Sequence, residues 1–132
     1  MQTIDIKYLN PKKGSKILDL GCGQGRHCFG AYMFVDADVF GFDMSHEDVI
    51  KAKENFKDFD ESSANKSCSF GVTDGRKLPF KNNSFDYVIC SEVLEHIIDF
   101  ELVIEEIERI LKPGGMFAVS YTHLTLPTKR KV

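Results

Sequence analysis

The sequence predicts an α/β fold with a parallel sheet, and three observations carry that expectation. Short apolar runs of strand length alternate along the chain with segments of helical periodicity. The first apolar run, Lys16-Ile17-Leu18-Asp19-Leu20, feeds directly into a glycine-rich loop, Gly21-Cys22-Gly23-Gln24-Gly25. The second run ends on an acid, Asp43, about twenty residues beyond that loop. Alternating strands and helices imply right-handed crossovers and a parallel sheet. With 132 residues the chain allows one domain and a modest core.

The elements run in order along the chain. Residues 16–20 are the first strand, and residues 25–35 a first helix with Phe29, Tyr32 and Met33 on one face. Val39-Phe40-Gly41-Phe42 is a second buried strand, closed by Asp43. Ser45 caps the next helix, and the acid three residues on suits its positive end. That helix runs to about Phe56 and turns Val49, Ala52 and Phe56 inward. After a polar loop at 57–66, Cys68–Val72 is a third strand leading to Asp74-Gly75. Leu78-Pro79-Phe80 with Lys81-Asn82-Asn83-Ser84 reads as a surface loop with turn chemistry. Phe85–Cys90 is a fourth strand. Asp99 reads as the N-cap of the strongest helix, in which Phe100, Val103, Ile104, Ile107, Ile110 and Leu111 recur at helical spacing. Pro113-Gly114-Gly115 stops it, and Met116–Val119 starts a fifth strand.

The glycine loop is not the usual dinucleotide fingerprint. That pattern asks for glycine at position 26, where this chain has Arg26, and Asp19 stands inside the first strand. Glycines without side chains let the backbone turn sharply and let a ligand lie against the main chain. The loop amides and the helix start behind them suit a carboxylate. A plain tight turn would use the same letters, so the loop alone is a weak signal.

Four segments in register strengthen it. Residues 16–26 resemble motif I of the class I S-adenosylmethionine-dependent methyltransferases. Phe42-Asp43-Met44-Ser45 matches the ribose-binding segment, and Val72-Thr73-Asp74-Gly75 the turn that meets the adenine amino group. Asn83 through His96 matches the fourth strand and the segment after it. Arg109-Ile110-Leu111-Lys112-Pro113-Gly114-Gly115 matches the family's turn into strand five. The resemblance covers about residues 8–118 and is nearest to small-molecule methyltransferases of the ubiquinone and menaquinone pathways. It implies a Rossmann-like, doubly wound sheet of five strands in order 3-2-1-4-5, incomplete beside the family's seven, with the last strand left as an open edge. It implies S-adenosyl-L-methionine as cofactor, held by Asp19, Gly21, Cys22, Gly23, Asp43, Met44, Asp74, Gly75 and Ser91. Asp43 would take the ribose hydroxyls, Met44 would pack on the adenine, and Asp74 would meet its amino group. An Asp at a strand end is often only a helix cap, but Ser45 already fills that role.

Glu92, Glu95 and His96 share one face if helical, at i, i+3 and i+4. Similar segments hold metal in some O-methyltransferases, while many family members carry the same letters without metal, so no metal is assigned. Glu95 and His96 are the candidates for a general base, though methyl transfer from a sulfonium needs no fixed acid or base. Substrate-contacting segments are few, which leaves the acceptor, its reacting atom and the oligomeric state open.

The net charge of −3 shows no basic stripe, which argues against general nucleic-acid binding and leaves small-molecule acceptors in view. No run is apolar and long enough to span a bilayer. Cys22, Cys28, Cys68 and Cys90 lack C-x-x-C spacing and read as reduced thiols of a cytoplasmic protein. The resemblance implies that residues 1–118 are the cofactor-binding part of a methyltransferase domain. Residues 119–132 resemble, from Val119 to Thr128, the translated end of a transposase sequencing adapter, and read as a non-native tail. Removing its three basic residues takes the net charge from −3 to −6. A nicotinamide-dependent oxidoreductase and a non-catalytic cofactor-binding module are the competing readings.

Overall fold

In the computed structural model, the described residues are 2–5, 11–25, 28, 37–57, 67–91 and 99–120. Among these residues the strands are β1 (Gln2–Asp5), β2 (Lys16–Leu20), β3 (Asp38–Asp43), β4 (Cys68–Val72), β5 (Phe85–Ser91) and β6 (Leu111–Ser120). The helices among them are α1 (His46–Lys57) and α2 (Phe100–Ile110). The strands form one parallel sheet in the order β1-β6-β5-β2-β3-β4. Its five strands from β2 to β6 stand in the expected order 3-2-1-4-5. The first expected helix, 25–35, lies outside the described residues apart from Gly25 and the buried Cys28.

The expected open edge is corrected. β1 runs parallel along β6, with Gln2 beside Met116 and Asp5 beside Val119. Gln-Thr-Ile-Asp has little strand signal of its own, so its place comes from the ladder that β6 offers. β6 also starts earlier than expected. Leu111 pairs with Phe85 and Met116 with Tyr87, so Lys112–Gly115 loop out as an irregularity rather than a break. β6 continues through Val119 and Ser120, the first two residues of the 119–132 segment.

The core lies on both faces of the sheet. On one face Val103, Ile107 and Ile110 of α2 pack against Leu18, Leu20, Val88, Cys90 and Phe117. Phe42, Phe80, Phe85 and Phe40 extend that layer as an edge-to-face chain, with centroids 5.1, 4.9 and 5.4 Å apart in turn. On the other face Cys22, Cys28 and Val39 form a small cluster, with Phe56 of α1 against Phe70. The amphipathic pattern placed both helices correctly. In α1, Val49 and Ala52 are buried, and the Ser45 hydroxyl accepts the Asp48 amide at 3.2 Å.

Between β3 and β4 the fit is reciprocal. Gly41 pairs with Phe70, and Phe42 pairs with Gly71. A Cβ on Gly41 would come within 2.8 Å of the Phe70 ring, and a Cβ on Gly71 would collide with the Phe42 ring. Each ring thus lies over the partner strand's glycine.

The segment read as a surface loop is anchored inward. Leu78 is buried and Phe80 packs on the core. Arg109 donates to the carbonyls of Phe80 (2.8 Å) and Leu78 (3.0 Å), while Glu106 accepts the Leu78 amide at 2.7 Å. Arg109 and Glu106 also pair with each other at 2.8 Å, which holds the Glu106 carboxyl below its ordinary range. These tethers come from α2, more than twenty-five residues away in sequence.

Candidate functional site

The register of the sheet brings three strand tips together. Leu20 lies beside Phe42 on one side and Cys90 on the other. The next residue of each strand is therefore Gly21, Asp43 or Ser91. Val72, the end of β4, lies beside Asp43. The expected residues Gly21, Cys22, Gly23, Asp43, Met44, Asp74, Gly75 and Ser91 thus all sit at the carboxyl ends of adjacent parallel strands, where open α/β sheets bind ligands.

Hydrogen bonds fix the loop against β3. The amides of Gly21 and Cys22 donate to the Phe42 carbonyl at 2.7 and 3.1 Å. The Gly23 amide donates to Asp43 Oδ2 at 2.8 Å, and the Ser45 amide donates to Asp43 Oδ1 at 2.8 Å. Both oxygens of Asp43 are therefore oriented by main chain, one by the loop and one by the start of α1. The loop holds Gly21 at φ 81° and Gly23 at φ 56°, a region that other residues enter only with strain. Among the described residues, a Cβ on Gly23 would meet nothing within 4 Å, so bare backbone faces open space there. Met44 is 72% exposed beside it. The Asp43 carbonyl accepts the Thr73 amide at 3.0 Å, which ties the tip of β4 into the same rim.

This arrangement has known counterparts. The Methyltransferase domain family matches residues 11–131. The chain belongs to the class I S-adenosylmethionine-dependent methyltransferases. It is 33% identical over 130 residues to demethylmenaquinone methyltransferase of Staphylococcus aureus, covering 96% of this chain and 52% of that protein. It is 36% identical over 108 residues to a sterol 24-C-methyltransferase of Aspergillus fumigatus, covering 82% and 28%. Among solved structures it is similar to phosphoethanolamine N-methyltransferase 2 of Haemonchus contortus in complex with S-adenosyl-L-methionine. That match has a TM-score of 0.77 and 29% identity over 86% of this chain and 25% of that one. The chain thus spans about half or less of the length of these relatives.

Two acids of the methyltransferase domain stand where the sequence placed them but hold partners that sequence patterns did not foresee. Asp19 is buried within β2 below the loop, where its Oδ2 accepts the Cys28 thiol at 3.4 Å. Asp99 does stand at the N-cap of α2, but at φ 60° and with no side-chain cap bond. Its carboxylate accepts Arg76 Nη1 at 3.1 Å instead. Arg76 also grips Asp74 and holds its carboxyl down at about 2. Sequence reasoning missed Arg76, whose only local signal is an acid two residues before it. Glu92, Glu95, His96 and the side chain of Ser91 lie outside the described residues.

All four cysteines are free thiols, and Cys22, Cys28 and Cys90 are buried. A hydrogen bond with Cys22 raises the Cys28 thiol, with burial and the Asp19 charge adding to it. Burial, then the Cys22 and Asp19 charges, push Cys68 up to about 12 from 9.0. A thiol kept neutral in the folded state binds more protons than the unfolded chain does above that ordinary value. Its contribution to stability is therefore full below pH 9 and falls away as pH rises towards about 12. Thermal melts between about pH 8 and about pH 11 are expected to show a declining midpoint, shallower in Cys68→Ser. An equal slope in the two proteins would remove Cys68 from that account.

Proposed function

We propose that this chain is the cofactor-binding part of a cytoplasmic enzyme that transfers a methyl group from S-adenosyl-L-methionine to a small-molecule acceptor. The observation that carries the reading is Asp43, whose two oxygens are pinned by the Gly23 and Ser45 amides at 2.8 Å. Each carboxylate oxygen can accept a second hydrogen bond, so two acceptor positions remain for the paired hydroxyls of a ribose. The residues suit the rest of the molecule. Gly21, Cys22 and Gly23 offer bare main chain to the methionine carboxylate, with Asp19 beneath them. Met44 offers an exposed apolar surface to the adenine, and Asp74 and Gly75 border it. Ser91, at the tip of β5, stands at the side of the loop opposite Asp43.

When bound, the cofactor supplies a methyl group already activated by positive sulfur. The chain's part is to fix the sugar through Asp43 and the amino-acid end through the loop, so that the acceptor meets the methyl in line. Positioning of this kind can supply much of a rate enhancement without a fixed acid or base. Where the acceptor must lose a proton, Glu95 and His96 are the candidate bases. The relatives named above carry sterol, quinone and phosphoethanolamine chemistry in their names, which supports a small organic acceptor and leaves its identity to experiment.

Calorimetry on the full chain tests the reading. S-adenosylmethionine and S-adenosylhomocysteine are expected to bind, and NAD is not. A folded chain that binds neither sulfur nucleoside, or binds NAD instead, overturns it.

A further inference from the structure

Thiols and a buried carboxylate gather beneath the glycine loop. Cys22, Cys28 and Val39 form one buried cluster, and Cys68 packs against it. The Cys28 thiol donates to Oδ2 of the buried Asp19 at 3.4 Å. The side chains of Cys28 and Cys22 are also hydrogen-bonded to each other. Room for Cys28 comes from Gly41, since a Cβ there would stand 2.6 Å from the Cys28 sulfur. Cys22 belongs to the loop itself, where its thiol donates to the Gly23 carbonyl at 3.4 Å. The cofactor reading uses the main chain of Cys22 and leaves both thiols without a task. Cys22 is 6% exposed and Cys28 1%, so an oxidant from solvent reaches Cys22 first.

We propose that Cys22 and Cys28 are a modification site, a dithiol that a peroxide converts to a disulfide, and that this cross-link releases the cofactor from the loop. The release rests on the cofactor reading given above. In the first step the Cys22 sulfur attacks one oxygen of hydrogen peroxide. The O–O bond breaks, the departing hydroxide takes the thiol proton as water, and Cys22 becomes a sulfenic acid. The Cys28 sulfur then attacks the Cys22 sulfur. The S–S bond forms and the S–O bond breaks. The Cys28 proton passes by way of Asp19 Oδ2 to the departing hydroxide, which leaves as a second water. The two sulfurs together lose two electrons, the peroxide gains them, and Asp19 ends as it began.

A covalent bond draws two sulfurs closer than a hydrogen bond does. The pull acts on a loop whose next amide, that of Gly23, donates to Asp43 Oδ2 at 2.8 Å. Drawing Cys22 inward loosens that bond and turns the bare main chain of Gly23 away from the open side. The cross-link also ends the thiol donations to Asp19 and to the Gly23 carbonyl. A buried carboxylate that loses a donor raises the energy of the oxidised form. The disulfide is therefore easily reduced, as suits a reversible switch rather than a structural staple.

The test treats the full chain with hydrogen peroxide and maps its cross-links by mass spectrometry of peptides. Calorimetry with S-adenosylhomocysteine follows the affinity before oxidation, after it and after dithiothreitol. A Cys22–Cys28 link is expected, with affinity lowered at least about tenfold, the scale of one lost hydrogen bond to a charged group. The reductant should restore it. Saturating S-adenosylhomocysteine should slow the cross-linking, because the ligand favours the dithiol. Cys28→Ser should lose the reversible response, and Cys68→Ser should keep it. Four outcomes overturn the inference: no cross-link in the folded protein, a link from Cys22 to Cys68 instead, a Cys22–Cys28 link with unchanged affinity, or an affinity lost through global unfolding. Each of them leaves the cofactor reading intact. A reduced chain that binds no sulfur nucleoside overturns that reading, and this inference with it. Thermal melts of the reduced and oxidised protein check folding, and Cys28→Ala carries the test should the serine variant fail to fold.

Discussion

Gly23→Val is expected to abolish S-adenosylhomocysteine binding in a chain that still folds. Two effects combine at this position. The backbone stands at φ 56°, where a β-branched residue costs about 1–3 kcal/mol. A Cβ there meets no atom of the described residues within 4 Å, so the isopropyl group projects away from the described core, into the space a ligand would use. Gly14 supplies the control, since it has φ 80° and equally open surroundings but lies ahead of β2, away from the rim. Gly14→Val should lose similar stability and keep its affinity. Calorimetry beside thermal melting separates the two effects. Retained binding in folded Gly23→Val would mean that the loop is not the site.

The second large effect is expected at Asp43. Asp43→Ala removes the acceptor for two main-chain amides and, on the proposed reading, both acceptor positions for the ribose. Hydrogen bonds to a charged group contribute about 1.5–3 kcal/mol each, so S-adenosylhomocysteine should bind at least about tenfold more weakly. The two orphaned amides should also lower the melting temperature. Asp43→Asn keeps one acceptor oxygen, so it should fall between alanine and the natural residue. A folded alanine variant with unchanged affinity would remove the ribose role while leaving the loop's role standing.

Much of this arrangement was legible in the sequence for physical reasons. β2, β3, β4 and β5 are apolar runs whose period matches a buried strand, and the Val49/Ala52/Phe56 and Val103/Ile107/Ile110 stripes match helices. The Asp43–Gly23 meeting was legible because a strand-tip acid and a preceding glycine loop must converge in a parallel sheet. What escaped was non-local. β1 has almost no intrinsic pattern and depends on β6, over a hundred residues away. The Leu78–Phe80 segment contains turn letters, yet Arg109 and Glu106 pull it inward. Asp99 has the right identity for a cap, but a guanidinium 23 positions upstream claims its carboxylate. Local patterns record propensity, and these three outcomes were decided by partners brought in by the fold.

The crossed glycine–phenylalanine pairs of β3 and β4 act as a gauge of alignment. Because one ring covers its neighbour above the sheet and the other does so below, a slip by a single step sets bulk against bulk or leaves a hollow on both sides at once. Asp43 and Asp74 hang from the ends of those two strands. Their spacing is thus metered by hydrocarbon fit several residues back, and a change as small as Gly71→Ala should be felt first as a shift of these two carboxylates against each other.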